Sequence, residues 1–132
     1  MKYKLKKETK PTLKTFGKYK AVARHGETIT SDRIVKELHQ QEGIGEGAIT
    51  HVLMGLADIV SRHLRQGDCV RLDRWGLMKL ELLSDAVDRP SDFHPRDHIR
   101  GVRLHFLPES ANGKPVLYQD LEFVADKDAV VE

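Results

Sequence analysis

The chain has 132 residues, a length for which one domain with a modest core is the default. Hydrophobic content is 39% and charged content 32%, a balance that points to a core completed by a partner subunit. A single Cys69 excludes a disulfide framework and a cysteine-based zinc site, and no apolar run approaches the roughly 20 residues that span a bilayer. Met1–Lys20 has charges but no apolar centre of a signal peptide, so a cytoplasmic location is expected. The formal net charge of +2 is unevenly placed: residues 1–25 hold nine Lys/Arg against the single Glu8, and the remainder is net acidic. A basic start of this kind either seeks polyanions or solubilises the terminus.

Residues 1–18 read as a basic N-terminal extension. Lys2, Lys4, Lys6 and Lys7 interleave with Tyr3 and Leu5, a strand-like alternation punctuated by Pro11 and Gly17. Tyr19–Arg24 is a stronger strand candidate. Thr28-Ile29-Thr30 either extends it or forms a second short strand. Thr30 or Ser31 caps a helix over 31–41, with Ile34, Val35 and Leu38 on its apolar face. Gly43 and Gly45 separate it from a longer one.

That longer helix carries Ile49, Val52, Leu53, Leu56, Val60 and Leu64 as one stripe, with Gly45 at its N-cap and Gly67 as its left-handed stop. The period then changes from helical to alternating. Val70 and Leu72, then Met78, Leu80 and Leu82, alternate with polar residues around a turn at Arg74-Trp75-Gly76, predicting two paired strands. Residues 84–99 hold Pro90, Pro95 and four aspartates, and read as an irregular loop. Val102, Leu104 and Phe106 alternate in a third strand. Asn112-Gly113 and Lys114-Pro115 interrupt any helix beyond it, leaving one turn near 116–119. Leu121–Val124 reads as a last strand, with the N-terminal one as candidate partner, and 126–132 as an acidic, frayed tail.

The succession of a long helix, Gly67, Val70, Leu72, Trp75, Gly76 and Met78, followed by Phe106-Leu107-Pro108, resembles the bacterial histone-like HU/IHF family. Its version with a leading strand before the first helix is similar to this N-terminus. The resemblance covers about residues 19–110 and implies an α+β fold: a helical hairpin plus a three-stranded antiparallel sheet, an intertwined homodimer, and added terminal strands around a DNA-binding domain at 19–125. It implies a dimer core of Val52, Leu53, Leu56, Val60, Leu64 and Phe106. It also implies non-catalytic, largely sequence-independent binding of double-stranded DNA, and a place on the nucleoid. In that family a basic β-arm carries a proline wedge into the minor groove. Residues 84–99 lack the arm's motif and are acidic; Arg89-Pro90 as a remnant of its tip is the less favoured reading.

Strand alternation sets Arg71, Lys79, Arg103 and His105 opposite the apolar face, with Glu81 against them, Arg74 at the turn and Arg100 at the strand entry. On the residues alone an ordinary solvated face is the better account. The resemblance tips it toward phosphate contacts by Arg71, Arg74, Lys79, Arg100 and Arg103, with Lys2, Lys4, Lys6 and Lys7 as an electrostatic arm. The rival reading is an HU-fold structural or protein-interaction module without significant DNA affinity. No catalytic, metal or cofactor site is expected: His94 and His98 stand four apart in a loop around Pro95, Cys69 is expected to pack, and no P-loop, dinucleotide fingerprint or G-x-S-x-G occurs. No small-molecule or membrane partner is expected.

Overall fold

A computed structural model describes residues 1–131, with side chains through Asp126. The chain forms two compact units, one from residues 1–30 with 120–132, the other from residues 31–119.

In the first unit, the Lys/apolar alternation of the opening residues forms β1 (Lys2–Lys7). It is the central strand of a three-stranded sheet. On one side β1 pairs antiparallel with β2 (Tyr19–Ala23), in the register Tyr3↔Ala23, Leu5↔Ala21 and Lys6↔Lys20. The turn between them is closed by the Glu8 N–H donating to Lys18 O (2.9 Å) and the Gly17 N–H donating to Glu8 O (3.1 Å), with Gly17 at φ +78°. On its other side β1 pairs in parallel with the chain's last strand, Val124–Val131, the register slipping between Tyr3 and Leu5. The N-terminal ammonium donates to Glu122 O (2.7 Å), and the Val124 N–H donates to Met1 O (3.0 Å), fixing the point of entry.

Two expectations are corrected here. Residues 28–30 form neither a strand nor an extension of one. The last strand begins at Val124 rather than Leu121, so the stretch expected to fray from Asp126 is paired strand through Val131, and Glu132 lies outside the described residues. The charges of 126–132 obscure any alternation; pairing with the β1 edge decides the strand.

The second unit opens with a helical hairpin. α1 (Ser31–Glu42) carries Asp32 in its first turn, where a carboxylate suits the positive end of the helix dipole. Gly43, at φ +71°, ends it, its N–H donating to His39 O (2.9 Å). His39 Nδ1 lies 2.6 Å from Ile44 O and ties the connection back to the helix. α2 (Glu46–Arg65) starts from an extended Gly45, whose carbonyl accepts the Ile49 N–H (3.1 Å). It stops in a Schellman motif: Gly67, at φ +89°, donates to Leu64 O (3.0 Å), and Asp68 donates to His63 O (3.0 Å). The Asp68 carboxylate, 2.9 Å from His63 Nδ1, latches the same turn. Val35 and Ile49, one from each helix, are the two buried apolar residues among those described.

α2 delivers the chain into β3 (Val70–Leu72), and a tight turn leads to β4 (Gly76–Ser84). β4 is the centre of an antiparallel sheet in the order β3-β4-β5, where β5 is Ile99–Pro108. Residues 85–98 close on themselves. Asp85 donates its N–H to His98 O (2.8 Å), a 3-10 turn spans Pro90–Asp92, and a one-turn helix, α3, spans Pro95–His98. The prolines remove ladder donors and start these turns, so a folded loop stands here and not an arm. After β5, Asn112 (φ +54°) and Gly113 (φ +76°) turn a small hairpin between β6 (Ser110–Ala111) and β7 (Lys114–Pro115). Both left-handed positions suit an Asn-Gly hairpin turn, so the pair does more than break a helix. A 3-10 turn over Val116–Tyr118 follows where a single turn is expected.

Candidate nucleic-acid interface

The register of the β3-β4-β5 sheet sorts its side chains into two faces. Val70↔Met78↔Phe106, Leu80↔Leu104 and Leu82↔Val102 form one face, wholly apolar. Arg71↔Leu77↔Leu107, Lys79↔His105 and Glu81↔Arg103 form the other. The cations read from alternation therefore do share a face. Because β3 is short, Arg71 is the one cation it supplies to that face.

The electrostatics of this face are mixed. Arg103 donates twice to one oxygen of Glu81, from Nε (3.2 Å) and Nη2 (3.1 Å). His105 Nδ1 lies 3.8 Å from the other oxygen of the same carboxylate. Glu81 thus holds Arg103 across the strands, as expected of opposite charges in register. Lys79, directly across from His105, and Arg71 make no ion pair among the described residues. Arg100 leaves the strand entry toward Asp85, its Nε 2.8 Å from the carboxylate, so its charge is partly compensated.

Arg74 sits at the tip between β3 and β4 in the left-handed region, at φ +71°. Its backbone N–H donates to Glu109 Oε2 (2.6 Å), and the Glu109 N–H donates to Trp75 O (2.9 Å). The carboxylate beyond β5 thereby fixes the turn, and Arg74 and Trp75 are both exposed at its tip. Glu109 has no sequence signal; its role depends on β5 returning to the turn. Gly76, at the start of β4, is set by contact: a Cβ there would lie 2.1 Å from Leu107 O.

The opposite, apolar face and the outward stripe of α2 are open in the single chain. Leu82 is 63% exposed, Val102 and Leu104 56% each, and on α2 Val52 is 68% and the neighbouring Ile59 49% exposed. Leu56 and Phe106 are also exposed, while Leu53, Val60 and Leu64 are half-buried. An apolar surface of this extent, running over one helix and one sheet face, is a mark of an interaction surface.

In the first unit, Lys2, Lys4 and Lys6 project from one side of β1, and Lys7 from the other with Tyr3 and Leu5. Lys20, which carries no signal of its own in the sequence, lies directly across from Lys6. Its pairing partner depends on the β1–β2 register, which alternation within either strand does not give. Among the described residues no group of three or more His, Cys, Asp or Glu is placed to hold a metal ion, and no helix is long and apolar enough to cross a membrane.

A helical hairpin whose long second helix feeds a three-stranded antiparallel sheet, with one apolar and one mixed, charge-bearing face, is the architecture of an HU-like domain. The chain belongs to the HU-HIG family, described as an HU domain fused to wHTH, Ig, or glycine-rich motif, which it matches over residues 1–120. Compared with curated proteins, the chain matches none.

Proposed function

We propose that this HU-HIG chain binds double-stranded DNA without catalysis and largely without regard to sequence, as a homodimer, in the manner of a nucleoid-associated protein. The observation that carries the reading is the shared face of Arg71, Lys79 and Arg103, with Arg74 at its rim, backed by an apolar face left open in a single chain. A second copy, bringing the same apolar stripe of α2 and the same sheet, is the occupant that symmetry favours. Val52, Leu53, Leu56, Val60, Leu64 and Phe106 then lie in the shared core. The two cationic faces together supply phosphate contacts, which position a duplex but read little sequence. Arg100 is a peripheral contact, since Asp85 competes for it.

A second reading has its own support. Glu81 and Asp85 already occupy Arg103 and Arg100, and the folded 85–98 loop replaces a basic arm with aspartates. These favour an HU-fold protein-interaction module. Titration of a random-sequence duplex at low salt separates the two. Binding at micromolar protein or below, abolished by Arg71→Gln with Lys79→Gln and Arg103→Gln, supports DNA. Absence of binding at that concentration supports the module. With its arm replaced by a self-paired loop, the protein is expected to leave the duplex largely straight.

A further inference from the structure

We propose that the first unit carries a phosphate-binding face of its own, formed by Lys2, Lys4, Lys6 and Lys20 on one side of the β1-β2 sheet. The inference takes duplex DNA as partner from the reading above, but places the contact on different residues. It also differs from a diffuse N-terminal arm, because the register selects which lysines act together.

The alternate residues of β1 put Lys2, Lys4 and Lys6 in a row at roughly 7 Å intervals. Such a spacing is suited to successive phosphates along one strand. β2 adds Lys20 directly opposite Lys6 and leaves Val22 opposite Lys4. The Arg24 N–H donates to Lys2 O (2.9 Å), which continues the same row. Like charges placed directly across an antiparallel pair are destabilising, so Lys6 against Lys20 carries a local cost that a bound polyanion would remove.

Among the described residues, none of the nearby carboxylates pairs with these lysines. Asp126 pairs with Arg24, and Glu8, at the strand end, turns Oε1 to the Lys10 N–H (3.0 Å). Lys2, Lys4, Lys6 and Lys20 make no ion pair among the described residues. The other side of the sheet is apolar instead, with Tyr3, Leu5, Ala21, Ala23 and the exposed Phe123 around one open cavity. One sheet thus presents a lysine face and a greasy face, and the lysines are concentrated on the first.

The test compares three forms of the full chain on a random duplex between 50 and 200 mM salt: wild type, Lys4→Gln with Lys6→Gln and Lys20→Gln, and a control of equal charge, Lys10→Gln with Lys14→Gln and Lys36→Gln, the last exposed on α1. The face variant is expected to lower the steepness of the log–log salt dependence by about 2–3, since each phosphate that a lysine neutralises adds about 0.9 to it. The control should leave it near the wild-type value. Equal changes in both variants, or none in the face variant, overturn the face.

Acetylation of wild-type lysines, read by mass spectrometry, gives an answer independent of variant folding. Lys2, Lys4, Lys6 and Lys20 should be protected by duplex while Lys10 stays reactive, and equal protection of all of them overturns the proposal. Protein that sediments with anionic vesicles and leaves duplex unbound overturns it in favour of a membrane partner. Arg71→Gln with Lys79→Gln keeps the two readings apart. Loss of duplex binding there with an unaltered face variant sustains the second-unit site alone, and the converse sustains the lysine face alone.

Discussion

At the scale of single residues, the turn between β3 and β4 concentrates most of the constraint. Gly76 has φ +148°, and a Cβ would meet the Leu107 carbonyl at 2.1 Å, against backbone that cannot step aside without breaking the β4–β5 register. Gly76→Ala is therefore expected to cost about 3–5 kcal/mol, the range of a backbone clash in a fixed ladder. Urea unfolding followed through Trp75 fluorescence measures it; a loss under about 1 kcal/mol would show that the strand ends part easily. Two residues earlier, Arg74 holds a left-handed backbone that glycine adopts without penalty. Arg74→Gly should raise stability by about 0.5–1 kcal/mol, since the cost of that conformation disappears. If the guanidinium also meets phosphate, the same variant binds duplex more weakly. A variant that is more stable and binds equally well removes Arg74 from the interface.

At the scale of elements, the helices and the three-stranded sheet were legible because their signals are local. The 3.6-residue stripe from Ile49 to Leu64 gives α2, Gly45 and Gly67 give its ends, and alternation around Trp75-Gly76 gives β3 and β4. What alternation could not give was pairing. Lys20 against Lys6 and Glu109 beneath the Arg74 N–H join residues distant in sequence, and the final strand, whose candidate partner was legible, still lacked its register and its start at Val124. The pattern of faces was legible for the candidate site, but the neutralising contact of Glu81 with Arg103 becomes a specific bond only once β4 and β5 are in register. The stripe of α2 makes a prediction that a sequence pattern alone cannot. Val52 is 68% exposed, so in a lone chain Val52→Asp should fall within about 0.5 kcal/mol of wild type. In a shared core it buries a carboxylate, and the variant should elute as a monomer with a lowered Tm. Sedimentation of both forms at one concentration decides between these outcomes.

At the scale of the whole molecule, the buried apolar residues among those described are too few to account for a stable second unit. Val35 and Ile49 serve the helical hairpin, whereas the apolar sheet face gains nothing from burial while it stays open. In the proposed dimer, association completes what the chain lacks, and stability then depends on concentration. For a dimer that unfolds to two chains, a hundredfold dilution removes about 2.7 kcal/mol. Spread over the unfolding entropy of two chains of 132 residues, the Tm should drop by about 5 °C. A monomer would show no change. Saturating duplex should then raise the Tm at 50 mM salt and lose most of that gain by 200 mM, because released counterions supply the binding free energy. A Tm independent of dilution rules out the shared core, while a duplex effect that survives high salt rules out a phosphate-dominated interface. Calorimetry on one protein stock, diluted and then titrated, reads both dependences separately.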